Sequence, residues 1–197
     1  MSCMSIGFEI LSILLLLVAM SGNSEDSDEI ETAAWAIAYD NNDKEVGYYG
    51  TKAYAGNGVV VTYESCAGSV CDDCETGGAN GLNSTVFTFI FVCVMLVMSV
   101  LRRGDGDMMY YKLAGVVCGF LAILCMIIGM GSWNDSCMEN LPTSSGSSYG
   151  IGPGFNCVLV TFFFTMFPVV SHLMISTKNG DTTPVPPVAV VAGADQA

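Results

Sequence analysis

Positive charge is scarce in this chain: six lysines and arginines stand against nineteen aspartates and glutamates, for a formal net charge of −13. A surface so poor in basic residues offers no footprint for nucleic acid or for anionic lipid headgroups. Histidine is reduced to His172 alone, which excludes any centre built on several imidazoles. Charged residues of both signs make up only 13% of the chain and hydrophobic ones 52%, a balance outside the range of ordinary soluble domains. No phosphate-binding glycine loop, nucleophile–base pair or metal-ligand set is visible, so the expectation is a non-enzyme with no cofactor.

Present instead are four long apolar runs. A helix crossing a bilayer needs roughly 20 mainly apolar residues. The runs predict a membrane protein: a four-transmembrane-helix bundle with a small extracellular antiparallel β-sheet built from the first extracellular loop, with room for one strand from the second. The expected divisions are a cytoplasmic N-terminus 1–5, a first span 6–21, a first extracellular loop 22–84 and a second span 85–101. A cytoplasmic turn 102–107, a third span 108–131, a second extracellular loop 132–153, a fourth span 154–176 and a disordered cytoplasmic tail 177–197 complete the chain. Ala19-Met20-Ser21 has the small-x-small form of a signal-peptidase site. The absence of Lys and Arg from Met1–Ser5, with Glu9 inside the segment, favours a retained helix over a cleaved one.

Arg102, Arg103 and Lys112 flank the short connection between the second and third runs, and Lys178 follows the fourth. Cytoplasmic loops retain basic residues. Both termini are therefore expected in the cytoplasm, with the plasma membrane as the expected site and the bilayer itself as a partner. The first loop then faces outward with twelve carboxylates against two lysines, a charge suited to cations or basic protein surfaces.

Within that loop, Ala33–Tyr39, Glu45–Tyr54 and Val59–Glu64 read as short β-runs separated by turn formers at 40–43 and 56–58. A glycine-rich stretch, 77–81, is expected to lead into the second span. Five cysteines, Cys66, Cys71, Cys74, Cys137 and Cys157, fall on or near the outer face, where pairing is the default. Connectivity does not follow from spacing. The preferred bridge is Cys66 to Cys74, with a second from Cys137 to Cys71 or Cys157. A loosely held Ca²⁺ at Asp72, Asp73 and Glu75 is the weak metal candidate, through oxygen ligation. Glu9 is expected to reach water about one turn from the cytoplasmic edge, and His172 to be interfacial. In the third run, Gly115 and Gly119 are small enough for close helix contact, either inside a bundle or at a dimer face.

Trp35, then Val61-Thr62-Tyr63-Glu64-Ser65-Cys66 with its aromatic-x-x-Cys step, and the stretch Tyr149–Phe155 leading to the last run together resemble the claudin superfamily, which includes peripheral myelin protein relatives. The resemblance covers most of Ile6–Ile175. It departs from the family's Gly-Leu-Trp-x-x-Cys at Val61, Thr62 and Tyr63, and Cys71 is additional. It implies one sheet, from the first-loop strands plus one from the second loop, seated on a four-helix bundle, with Trp35 and Tyr63 as the motif aromatics and Cys74 as the partner of Cys66. The function expected is structural organisation or protein–protein interaction through the acidic head, with other membrane proteins or its own copies. A subunit of a cation channel and a viral or organelle scaffold are the alternatives.

Overall fold

The computed structural model describes residues 3–56, 59–103, 109–141 and 148–175. The expected tail 177–197, positions 104–107 of the expected turn, positions 57–58 of the second turn-forming stretch and positions 142–147 of the second loop lie outside the described residues.

Among the described residues four helices are long and apolar enough to cross a membrane: α1 (Cys3–Ser21), α3 (Ser69–Arg103), α4 (Met109–Ser136) and α5 (Pro153–Met174). They pack in a ring in which α3 lies between α1 and α4, and α5 closes from α4 back to α1. Their outward faces are apolar. Ile10, Leu14, Val97, Phe120, Ile127, Phe163 and Phe167 are all exposed, an arrangement that suits lipid and not water. Pro153 starts α5, where its missing N–H costs nothing, and Pro168 lies inside it.

At one end of the ring sits an antiparallel sheet in the order β4-β3-β2-β1-β5. Its strands are β1 (Ala36–Tyr39), β2 (Glu45–Tyr49), β3 (Ala53–Gly56), β4 (Val59–Thr62) and β5 (Ser148–Ile151). The last comes from between α4 and α5 and pairs with β1. Alternation along the strands divides the side chains between two faces. Tyr48, Ala53 and Ala55 meet Ile30 of a short helix, α2 (Ser27–Thr32), on the outer face. Tyr49, Tyr54 and Tyr149 pack inward on the ends of the long helices. The acidic stretch before β1 therefore holds a helix where none is expected from its composition. Asp26 caps it through Asp28 N, and Asp28 and Glu29 lie in its first turn, where the helix dipole favours negative charge.

Helix α3 is longer than the span expected within it. It begins at Ser69, not at residue 85, so the glycine-rich stretch 77–81 is helical. Those glycines are close-approach positions. A Cβ on Gly78 would collide with the Thr51 carbonyl, one on Gly77 would press on Ser136 at 3.0 Å, and one on Gly81 would press on the Trp35 ring at 3.0 Å. Packing against the head and α4 thus offsets the roughly 1 kcal/mol that each glycine costs a helix.

Candidate functional site

The head is seated on the bundle through Trp35, which is 1% exposed. Its indole N–H donates to the Ala19 carbonyl at the end of α1 at 3.1 Å. Its ring meets Trp133 of α4 and Phe155 of α5 edge-on at centroid distances of 5.6 and 5.9 Å. With Gly81 of α3 also packed against the ring, all four long helices converge on one side chain. The backbone locks the same junction: Gly152 N donates to Trp35 O, Gly154 N to Ala34 O, and Thr51 N to Gly22 O. At Gly152 and Gly154 any Cβ would strike the carbonyls of Ala34 and Ala33, so this close approach requires glycine. Tyr63, also buried, donates its hydroxyl to the Gly50 carbonyl at 3.0 Å. Burial pushes the Tyr49, Tyr54 and Tyr63 phenols up, which keeps these hydroxyls protonated.

The cysteines pair differently from the preferred expectation. Cys66 is bonded to Cys71, and Cys74 to Cys137. The physical reason is the helical start of α3. Cys71 lies in its first turn, next to the 3-10 turn Tyr63–Ser65 that leads to Cys66. Cys74, one turn further along, is buried in the core cluster that holds Trp133 and Cys137. A bridge does tie the second loop to the first, but through Cys74 and not Cys71. Cys157 is a free thiol. Between the bridges and the inner sheet face lies a cavity of about 250 Å³ lined by Tyr49, Tyr54, Val61, Tyr63 and Val70 with the cysteines.

Asp72, Asp73 and Glu75 do not assemble a cation site. Among the described residues no three His, Cys, Asp or Glu side chains converge to hold a metal. Neighbouring positions on a helix diverge by about 100°, so Asp72 and Asp73 point apart. The remaining acids of the head are mostly exposed, with Glu25 ion-paired to Lys52. Asp40 closes the β1–β2 turn by accepting from Asn42 N at 2.8 Å and Lys44 N at 3.0 Å. Those two donors hold its carboxyl below the usual carboxylate range.

Gly115 and Gly119 of α4 face inward and not toward a second copy. A Cβ at either would collide with His172 or Val169 of α5, respectively. His172 belongs to a polar cluster that no single residue announces. The Glu9 carboxylate of α1 accepts from Ser99 Oγ of α3 at 2.6 Å; Ser99 Oγ lies 3.0 Å from His172 Nε2; His172 Nδ1 lies 2.9 Å from Arg102 Nη1. Arg102 Nη2 donates to the Ile175 carbonyl at 3.1 Å. Glu9, Ser99 and His172 are 0% exposed and Arg102 is 2%. The expectations of a water-reaching Glu9 and an interfacial His172 are therefore overturned, because each finds partners on a neighbouring helix in place of water. The signal available in the sequence was depth. Ser99 and Arg102 are three apart on one helical face near the end of α3, and Glu9, Gly115 and His172 lie near the matching ends of their own helices.

No protein-family model matches the chain, and no curated protein matches it.

Proposed function

We propose that the chain spans a membrane four times and acts, without catalysis, as an interaction or organising protein through its head. The observation that carries this reading is the sheet's unpaired margin. Among the described residues β4, like β5 at the other edge, has a partner on one side only, and Val59, at the start of β4, is 59% exposed. An open strand edge is a template for pairing with another chain. This edge is mounted on a base fixed by Trp35 and the Cys74–Cys137 bridge, so a partner meets a preformed surface.

We infer a likeness to the claudin superfamily from the sheet of four first-loop strands plus one second-loop strand over four helices, with Trp35 at its seat. The cysteine pairing departs from the Cys66–Cys74 bridge that the resemblance implies. Two disulfides in the head favour an oxidising, extracellular face. Arg102, Arg103 and Lys112 at the opposite end favour a cytoplasmic one. That sidedness agrees with a plasma-membrane protein with both termini inside.

Reconstitution into liposomes tests the reading. The wild type is expected to self-associate or retain a membrane partner, and Val59→Lys to weaken that association about tenfold, since a charge on an exposed edge blocks strand addition. Dispersed, partnerless protein that passes cation current would overturn it in favour of a channel subunit, the reading to which the acidic head also lends itself.

A further inference from the structure

The cluster at the far end of the bundle has a fixed hydrogen-bond direction, and this follows from chemistry alone. A guanidinium has donors and no acceptor. Arg102 must therefore donate to His172 Nδ1, which leaves that nitrogen with its lone pair and puts the imidazole proton on Nε2. Nε2–H then donates to Ser99 Oγ, and the Ser99 hydroxyl, now free to donate only onward, gives its proton to Glu9 Oε1. The result is a one-way chain from a cation to a carboxylate through two neutral groups. Glu9 Oε2 is fully buried and has no hydrogen-bond partner among the described residues. Ser12 Oγ, one turn along α1 on the same buried face, is in the same condition.

We propose that Glu9, Ser99, His172 and Arg102 form a proton-binding site inside the bundle, in which an incoming proton is held on Glu9 and not on the imidazole. His172 cannot take it without losing the Arg102 donor and placing two cations side by side. The unpartnered Glu9 Oε2 has a lone pair with no other use. Proton uptake from water at that oxygen turns the carboxylate into a carboxylic acid and takes the cluster from a balanced pair to one net positive charge. Among the described residues, the charged and titratable groups on the helices packed against α1 at this level are Arg102 and His172, within the cluster, and Arg103, whose side chain is exposed. Exchange occurs at the Arg102 end. Toward the head the core is closed by Leu16, Val92 and Ala122, each fully buried. Leu16 lies seven residues beyond Glu9 on α1, about 10 Å along the axis. The site loads from one side and does not form part of a path through a single bundle.

The full chain in nanodiscs of neutral lipid tests this by two readouts. Infrared difference spectra taken while the pH is lowered are expected to contain one carboxylic-acid band that is missing from Glu9→Gln, isolated by that comparison from the exposed acids of the head. His172 is the chain's only histidine, so nitrogen-15 histidine labelling observes it alone. The expected spectrum is a neutral Nε2–H imidazole before and after the transition, with a resonance that moves at the midpoint of the infrared band. Identical infrared spectra for wild type and Glu9→Gln would overturn the proposal. So would formation of an imidazolium at His172, a result that the wild type alone can give should the variant fail to fold.

Discussion

The head and the opposite end of the bundle are built inside out relative to one another. In the head, carboxylates lie outside and tryptophans, tyrosines and a disulfide lie within. At the Arg102 end, leucine, valine and phenylalanine lie outside and an arginine, a glutamate, a histidine and a serine lie within. Each end places against its surroundings what those surroundings solvate. The difference lies in what then holds the interior: area and covalent bonds in the head, directional donors in the cluster. Apolar packing is tolerant of shape but demands volume, whereas a buried polar chain demands every member, because one missing partner strands the others.

The sharpest way to break the comparison is at Arg102. Arg102→Leu leaves Glu9 buried without its counter-charge and is expected to cost about 3–5 kcal/mol in equilibrium unfolding from mixed micelles. Replacing all four members together with apolar residues of similar volume (Glu9→Met, Ser99→Ala, Arg102→Met, His172→Leu) is expected to restore most of that loss. Failure of the fourfold variant to recover would mean that packing, not pairing, holds this end.

Trp35→Ala is the corresponding change in the head. Loss of a fully buried indole packed against all four long helices is expected to cost about 3–5 kcal/mol, read as lost thermal stability. Next comes the Cys74–Cys137 bridge, which joins positions 63 apart. Cys137→Ser is expected to cost about 2–4 kcal/mol, whereas Cys71→Ser, which opens a separation of only 5, should cost less. Gly78→Ala places a methyl against the Thr51 carbonyl. The overpacking cost is about 1–3 kcal/mol, and amide hydrogen exchange should rise at the start of α3 while the Arg102 end is unchanged.

The smallest effect belongs to Asp40→Asn at the exposed turn. Because the folded carboxyl is held below its ordinary range, its contribution is present above the unfolded value and is lost as pH falls through the folded one. The variant should therefore be less stable than wild type at neutral pH and equal to it in acid, as measured by paired melting curves. A gap that persisted in acid would assign the turn's stability to shape and not to charge.

The four long helices were legible because length and apolarity are properties of contiguous residues. The strands were legible too, though β1 starts at Ala36 and not Ala33 and β4 ends at Thr62 and not Glu64. Glu45–Tyr54 reads as a single run and is two strands broken at 50–52, where Gly50 N closes the turn on the Ala53 carbonyl and Thr51 N donates to Gly22 O. What could not be read depended on tertiary contact. The stretch 77–81 looks like a loop by propensity, and only packing by Trp35 and the Thr51 carbonyl makes it helical. Once α3 starts at Ser69, Cys71 and Cys74 are committed to different neighbours, and spacing carries no record of that. The cluster was hidden for a similar reason. Glu9 and His172 are separated by nearly the whole chain, and each, taken singly, has the ordinary behaviour of a residue near a helix end.

Strand β5 has a consequence for the order in which the protein can be made. β1 lies between β2 and β5, yet β5 and Cys137 are synthesised only after α3 and all of α4. Until then β1 presents a bare edge, and Cys66, Cys71 and Cys74 are three neighbouring thiols awaiting a partner for one of them. During that interval a Cys66–Cys74 bond is open to the nascent chain, and reaching the final pairing from it requires thiol–disulfide exchange. Completion of the head is thus timed by the arrival of the second loop, and a ribosome stalled before residue 151 would release an unfinished sheet.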